Sequence, residues 1–414
     1  MKLYIKSYCT IAAGVFLLLA HSGCGMLNSR HRLAWQSPYR DISSLQEGDI
    51  VHLSTGRLVS KEELINIADG ARIIYVGETH DNLNAHKVQL EILKAFHERH
   101  PGGIAVGMEM LKRPSQAVAD QWTSGELNEK TFVGTWNTDW SNDYAYYRDI
   151  LEFVREQRIP LLALRASDDW TNRVKASEDT ETAGQEEERL EALPEMDIED
   201  TYHRSHIEAL FNQHPGHGQQ DFETFYSVQV LWDESIAQSV YDYLVSEDGH
   251  GKKVLVFAGS QHIEHGFGIP RRVFRRIPLP YVIVLPVMIE APAREKHKSM
   301  KVTLPQVPLL PGDFAWVVTH EDLEDKRVYL GIMIKETDEG IKIIGMVKGS
   351  AAEKAGLEKE DIITTFDGEP IGASFDLTYL IGLKEPGDKG VVEVRRDGET
   401  LRYDVTFQAR GSEE

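Results

Sequence analysis

The chain has 414 residues, 41% of them hydrophobic and 27% charged, which supplies a packed core and excludes wholesale disorder. Lys plus Arg number 45 against 66 Asp plus Glu, a formal net charge of -21 that lacks the basic footprint a phosphate backbone demands and so excludes a nucleic-acid partner. Two cysteines, Cys9 and Cys24, exclude a disulfide scaffold and any cysteine-ligated zinc or iron–sulfur site.

At about 100–200 residues per domain the length allows two or three domains. The first 24 residues read as an export signal. Lys2 and Lys6 precede an apolar run over residues 10–20, shorter than the ~20 residues a membrane-spanning helix needs but suited to a signal-peptide core. Ser22, Gly23 and Cys24 follow and look like a bacterial lipobox, although His21 stands where that motif usually has an aliphatic residue. With Cys9 removed, Cys24 has no disulfide partner in the mature chain, and acylation there would tether it to a membrane at ~0.8 kcal/mol per buried CH₂. The expectation is an exported lipoprotein anchored at Cys24 and facing the periplasm. Gly25 favours the outer membrane by resemblance to lipoprotein sorting rules. Residues 25–46 are polar and read as a tether.

From 47 to 290 strand-like and helix-like runs alternate. Residues 71–76, 103–108, 160–164, 253–258 and 281–285 are apolar strand patterns. Residues 84–97, 144–158, 222–245 and 271–276 carry helical periodicity. Strands separated by helices imply an α/β fold, a mostly parallel sheet flanked by helices, with ligands outside the carboxyl ends of the strands. Residues 178–200 hold 11 acids and one base, Arg189, and read as a solvated acidic insertion. Residues 291–326, with Pro292, Pro305, Pro308 and Pro311 and a basic cluster at Lys296, Lys298 and Lys301, read as a linker. Residues 409–414 are a tail.

Residues 327–408 resemble a PDZ domain of the kind attached to bacterial periplasmic proteases. The resemblance rests on Tyr329 to Ile332, Val347 to Leu357, Asp361 to Ile363 and Phe366 to Gly368. It implies a small mixed β/α domain in which Leu330, Gly331 and Ile332 turn backbone N–H groups toward a peptide carboxylate, while the next strand edge accepts an extended peptide. Glu360 departs from the usual Gly before Asp361, which puts that turn in question.

The chemistry concentrates at strand ends. Residues 73–76 lead into Gly77, Glu78, Thr79 and His80, and residues 254–258 into Gly259, Ser260, Gln261 and His262. In each, Gly permits a tight turn and His follows three residues later, thrown over the carboxyl edge of the sheet. Residues 103–108 end beside Glu109. His80, Glu109 and His262, with Glu78 nearby, form an N/O donor set suited to zinc, manganese or iron, and imidazole also suits haem iron. On residues 222–245, Gln229 and Asp233 stand four apart and could support the imidazoles from behind, and Tyr226 could offer a phenolate to ferric iron. His203, His206, His214 and His217 read as exposed loop histidines, and His265 as ambiguous.

This ordered set resembles the ChaN-like haem-binding lipoproteins, in the wider group of Tiki, TraB and erythromycin-esterase-like proteins. It is carried by residues 77–80, 107–110, 225–234, 258–262 and 266–270, with Trp140, Tyr144 and Tyr147, and spans about 70–286. The resemblance implies haem binding in iron acquisition. Tiki relatives use Gly-x-x-His motifs in metal-dependent peptide cleavage. Arg165 departs, standing where Asn is expected. Three readings stay open. The first is a haem- or iron-binding lipoprotein, a homodimer left open, with a PDZ module and with His80, Tyr226, Gln229, Asp233, His262 and His265 around the guest. The second is a hydrolase or peptidase with a divalent ion at His80 and His262 and with Glu78 or Glu109 as base. The third is a PDZ scaffold whose histidine loops are structural.

Overall fold

Alternation of side chains along each strand sets the layers. The computed structural model describes residues 44–177, 191–212, 221–288, 309–323 and 327–408. In β3 (Ile73–Glu78) every residue is buried. Ile74 and Val76 face one hydrophobic cluster and Ile73 and Tyr75 another. A strand covered on both faces needs helices above and below, and the helices Lys61–Ala68, Leu83–Arg99, Gln116–Ser124, Glu129–Asp139 and Arg148–Glu156 cover one side. The helices Phe222–Val245 and Ile269–Arg276 cover the other.

The remaining strands of this sheet are β1 (Ile50–His52), β2 (Arg57–Val59), β4 (Ile104–Lys112), β5 (Leu161–Arg165), β6 (Lys253–Gly259), β7 (Tyr281–Met288) and β8 (Phe314–Val318). Their order is β2-β1-β8-β7-β3-β6-β4-β5, with β8, β7, β3, β6, β4 and β5 parallel and β1 antiparallel to both neighbours. The α/β architecture expected from the alternation is therefore present. The 291–326 expectation needs correction. Residues 314–318 are not linker: β8 is buried along its length and sits between β1 and β7. The expected helix over 144–158 is also divided, into a 3-10 turn at Tyr144–Tyr146 and the helix Arg148–Glu156.

The C-terminal part is an antiparallel sheet ordered β14-β13-β11-β10-β9, with β12 (Glu369–Pro370) beside β11. Its strands are β9 (Ile332–Thr337), β10 (Gly340–Met346), β11 (Ile362–Phe366), β13 (Lys389–Arg396) and β14 (Glu399–Thr406). They enclose a core of their own around Ile341, Ile363, Phe366 and Val392. Short helices Ala351–Ala355 and Ser374–Gly382 complete it. Glu360 does take the left-handed conformation, φ 79°, that glycine would adopt without cost. Its carboxylate meets Lys342 Nζ at 2.6 Å. No helix among the described residues is long and apolar enough to cross a membrane. The expected signal, the lipidation site Cys24, His214, His217 and residues 178–190 of the acidic insertion lie outside the described residues.

One buried charge fixes the helix that follows the second histidine loop. The Glu234 side chain is fully buried and faces Arg272 Nε at 3.2 Å, Arg275 Nη2 at 3.0 Å and Arg276 Nη1 at 2.7 Å. It also accepts the Asp197 N–H at 3.0 Å. Removing the carboxylate strands the equally buried Arg272 cation. Glu234→Ala is expected to lower unfolding free energy by about 3–5 kcal/mol, read from denaturant curves. A loss under about 1 kcal/mol would show that this cluster does not hold the helix.

Candidate functional site

β3 and β6 are parallel neighbours in register, Gly77 opposite Ala258 and Glu78 opposite Gly259, so the two Gly-x-x-His loops leave the sheet side by side. Both imidazoles close on Gly259. A Cβ placed there would stand 3.0 Å from His80 Cε1, 3.1 Å from His80 Nε2 and 3.6 Å from His262 Cδ2. The space a side chain would fill is the space in which the rings meet. Gly268 has a similar role behind the second ring, where a Cβ would lie 2.2 Å from the His262 carbonyl oxygen.

Each ring is held at Nδ1 by a buried carboxylate. His80 Nδ1 donates to Glu78 Oε1 at 2.5 Å, which also accepts Tyr147 OH at 2.7 Å. Glu78 Oε2 accepts Gln89 Nε2 at 3.0 Å and faces His86 Nε2 at 3.2 Å. His262 Nδ1 donates to Asp233 Oδ1 at 2.6 Å, and Asp233 Oδ2 meets His203 Nε2 at 2.9 Å. The Arg272 guanidinium donates to His203 Nδ1 at 3.2 Å. Glu109 Oε2 accepts the Gly259 N–H at 2.8 Å, and its Oε1 lies 3.5 Å from His262 Nε2.

Burial alone would raise both orienting carboxyls. The surrounding imidazoles outweigh it, holding Glu78 (through His86 and His80) and Asp233 (through His262 and His203) well below the usual carboxylate range. Burial likewise opposes protonation of His262, but Glu109 and Asp233 carry its pKa up to about 9, so this ring is an imidazolium at neutral pH. His80 is also raised, against burial, by its bond to Glu78. The two rings differ in access. The His80 side chain is 31% exposed and the His262 side chain 2%. His80 Nε2 has no hydrogen-bond partner among the described residues.

Aromatic walls join the pair. Trp140 lies edge-on to His80, ring centroids 4.9 Å apart, and Trp232 lies 6.5 Å from His262. The Arg165 guanidinium connects the indoles, 4.7 Å from the Trp140 centroid and 6.0 Å from that of Trp232.

Not every expected residue belongs here. Asp233 does, as the partner of His262. Glu78 is present as the clamp on His80, but with both oxygens engaged and no exposed surface it cannot serve as a base toward a guest. Glu109 lies within β4 rather than after it, because that strand runs on to Lys112. Tyr226 is buried beside His203 and the Asp200 carbonyl rather than next to the two histidine rings, and burial pushes its phenol up to about 12. Gln229 is buried on the same helix with its Oε1 unpartnered. His265 adopts φ 57°, stacks on Phe267 and faces His206 at 6.0 Å.

His203 and His206 are not exposed loop residues. They are buried on the helix Thr201–Phe211, where polar residues on an inward face were the missed signal. His86 and Gln89 repeat that pattern on the helix Leu83–Arg99. The expected metal set also needs correction. Among the described residues no group of three His, Cys, Asp or Glu side chains is arranged to hold a metal ion. Glu109 accepts the Gly259 N–H, and His262 lies between Asp233 and Glu109, whose charges raise its pKa. A cavity of about 680 Å³ lies elsewhere, along β5 beside Arg113, Gln116 and Tyr243.

In the C-terminal domain Leu330 is buried, Gly331 has φ 78°, and Ile332 begins β9, which among the described residues pairs with β10 alone.

Comparison with known proteins matches residues 64–273 to the family of haem-binding uptake proteins of the Tiki superfamily, ChaN, and residues 328–407 to the PDZ domain. Curated relatives include probable periplasmic serine endoproteases, DegP-like. That of Hahella chejuensis is 34% identical over 88 residues, 18% of this chain and 19% of the relative. That of Ectopseudomonas mendocina is 30% identical over 113 residues, 24% of each. The chain thus spans about a fifth to a quarter of the length of these relatives. Among solved structures, the one titled cofacial heme binding to ChaN of Campylobacter jejuni aligns at TM-score 0.48 and 20% identity, over 66% of this chain and 98% of that one. The HtrA-type protease AlgW with decapeptide aligns at TM-score 0.20 and 21% identity, over 21% of this chain and 31% of that one.

The buried His206 gives a pH test. Its pKa is held down to about 4 by burial and by His265 and His203, against roughly 6.5 in an unfolded chain. Between those values the unfolded state binds a proton that the native state refuses, so stability falls as pH falls. From pH 7 to 5 the wild type should lose about 2 kcal/mol more than His206→Gln, measured by denaturant unfolding. Parallel losses in the two proteins would count against a neutral, buried His206.

Proposed function

The chain belongs to the ChaN family of haem-binding uptake proteins in the Tiki superfamily, and from that premise we propose that its α/β domain binds haem at the rim shared by the two histidine loops, with His80 as the ligand to iron. The observation that carries this is the His80–Glu78 pair. Nδ1 is committed to a carboxylate at 2.5 Å, and Nε2 is unpartnered on a side chain 31% exposed. A carboxylate behind an imidazole fixes the tautomer and raises the basicity of the other nitrogen, the arrangement that suits a metal-bound histidine.

The donor set fits the group. Haem supplies a redox-active iron, and this chain supplies one lone-pair nitrogen, indole surfaces at Trp140 and Trp232, and the positive charge of His262. His262, 2% exposed and held between Asp233 and Glu109, stands behind the rim as a charged neighbour, while the more open His80 ring meets the guest. The role that follows is haem capture in iron acquisition. We place it at the cell envelope, exported by residues 1–24 and anchored through Cys24 to a membrane facing the periplasm, the outer membrane favoured. The support is the charged start, the apolar run and the lipobox-like Ser22, Gly23 and Cys24, together with relatives named periplasmic. The PDZ domain recruits a protein C-terminus or extended peptide to the free edge of β9, with Leu330, Gly331 and Ile332 receiving the carboxylate.

Hemin added to the purified protein should give a Soret band that saturates at one equivalent per chain. His80→Ala should weaken binding at least tenfold, and His262→Ala should weaken it less. Absence of any Soret change in the wild type, or full retention in His80→Ala, would rule the assignment out. For the PDZ domain, a display-selected peptide should lose at least tenfold in affinity when its C-terminal carboxylate is amidated. Equal binding of acid and amide would remove the carboxylate-receiving role.

A further inference from the structure

Arg165 stands at the end of β5 with its guanidinium against two indoles, yet among the described residues it makes no ion pair. Its Nη2 donates to the Asp139 carbonyl. The acids whose charge it feels are Glu109, Asp139 and Asp168. Each is engaged elsewhere: Glu109 with the Gly259 N–H at 2.8 Å, Asp139 with the Lys112 N–H at 3.0 Å, Asp168 with Lys112 Nζ at 2.7 Å. Among the described residues no carboxylate comes within 4 Å of the Arg165 guanidinium.

A guanidinium has five N–H donors in a planar fork that matches a carboxylate, and stacking on aromatic faces fixes that fork before any partner arrives. Contacts continue from His80 to Trp140, Arg165, Trp232 and His262, with neighbouring centres 4.7–6.5 Å apart. The unpaired cation thus lies one indole away from His80, across Trp140.

We propose that Arg165 is the carboxylate receptor of this rim and that the guest it admits carries a carboxylate group. The inference rests on the reading that a guest binds between the histidine loops. It adds the anionic group by which that guest is chosen. Two sources share the chemistry: the propionate of a tetrapyrrole and the carboxylate of a smaller molecule. Arg165 is a specificity residue here, because it meets the guest's periphery rather than its metal.

The test uses the full chain, hemin, hemin dimethyl ester and benzoate, with Arg165→Gln and Arg165→Lys. The wild type should bind hemin at least tenfold more tightly than the diester by Soret titration. Arg165→Gln should bring the two within about threefold, chiefly by weakening hemin. Arg165→Lys keeps the charge without the fork and should fall between. Benzoate should quench tryptophan fluorescence in the wild type and not in Arg165→Gln.

Porphyrin discrimination without a benzoate response marks a propionate as the source. If neither porphyrin binds, the haem reading fails, and a benzoate response lost in Arg165→Gln still supports a carboxylate site. Equal wild-type affinity for hemin and its diester overturns the proposal. So does a preference that survives Arg165→Gln, or an equal loss of both porphyrins in that variant, which would mark Arg165 as packing for the indoles. Silence in every arm overturns it as well.

Discussion

A buried carboxylate behind an imidazole is the interaction on which the rest of this site depends. A charged group taken out of water is costly unless its lone pairs are satisfied, and an unpartnered one would protonate instead. Glu78 avoids that with hydrogen bonds from His80, Tyr147 and Gln89 and the approach of His86 at 3.2 Å, and these come from three separate stretches of chain. Asp233 accepts from His262 and stands 2.9 Å from His203. Each carboxylate therefore ties a strand-end loop to helices distant in sequence. The parallel register of β3 and β6 brings the two tied loops together. The fold places the histidines near each other, and the carboxylates decide which nitrogen each one presents.

The helix Glu129–Asp139 is the second constraint. Its C-terminal end supplies the Asp139 carbonyl that receives Arg165 and leads directly into Trp140. Its N-terminal end meets the C-terminal domain, where Glu129 accepts Tyr379 OH at 3.0 Å and Lys130 pairs with Asp376 at 2.6 Å. Tyr379 and Asp376 belong to the helix Ser374–Gly382, which packs against β9 in its own domain. The rim and the PDZ domain thus both contact one helix. Ion pairs and hydrogen bonds at an exposed contact each contribute little, so this contact sets the place of the helix more than it stabilises the whole.

Much of this was legible in the sequence because strand and helix periods are local. The five strands read from apolar runs are present, two of them shifted by one or two residues and the others running on at their C-terminal ends, and the helix over 222–245 has those same ends. β8 escaped because five buried residues after a proline-rich stretch look like linker when their partners, β1 and β7, are distant in sequence. The paired loops were visible as a repeated phrase. The residues that make them work, Gln89, His86 and His203, were not, since a polar side chain on a helix declares itself only when its face is known to point inward. Tyr226 illustrates the converse. Its chemistry suited iron, but its helical position turns it toward Ile207 and Val230, away from the histidine rim. Glu360 shows a sequence departure that the backbone absorbed, keeping the left-handed turn with a residue other than glycine.

The two loops also show why a motif does not by itself define a role. Both spell glycine, two residues, histidine, and both rings lean on a carboxylate at Nδ1. What differs is the far side. His262 Nε2 meets Glu109 at 3.5 Å, so this ring lies between two carboxylates and keeps its proton. His80 Nε2 meets no carboxylate among the described residues and reaches the surface. The carboxylate inside the first loop, Glu78, holds a ring whose Nε2 has no partner among the described residues. The carboxylate across the second, Glu109, faces Nε2 of an equivalent ring and favours its protonated form. Division of labour between the twin motifs is therefore written in β4, a strand that carries no histidine of its own.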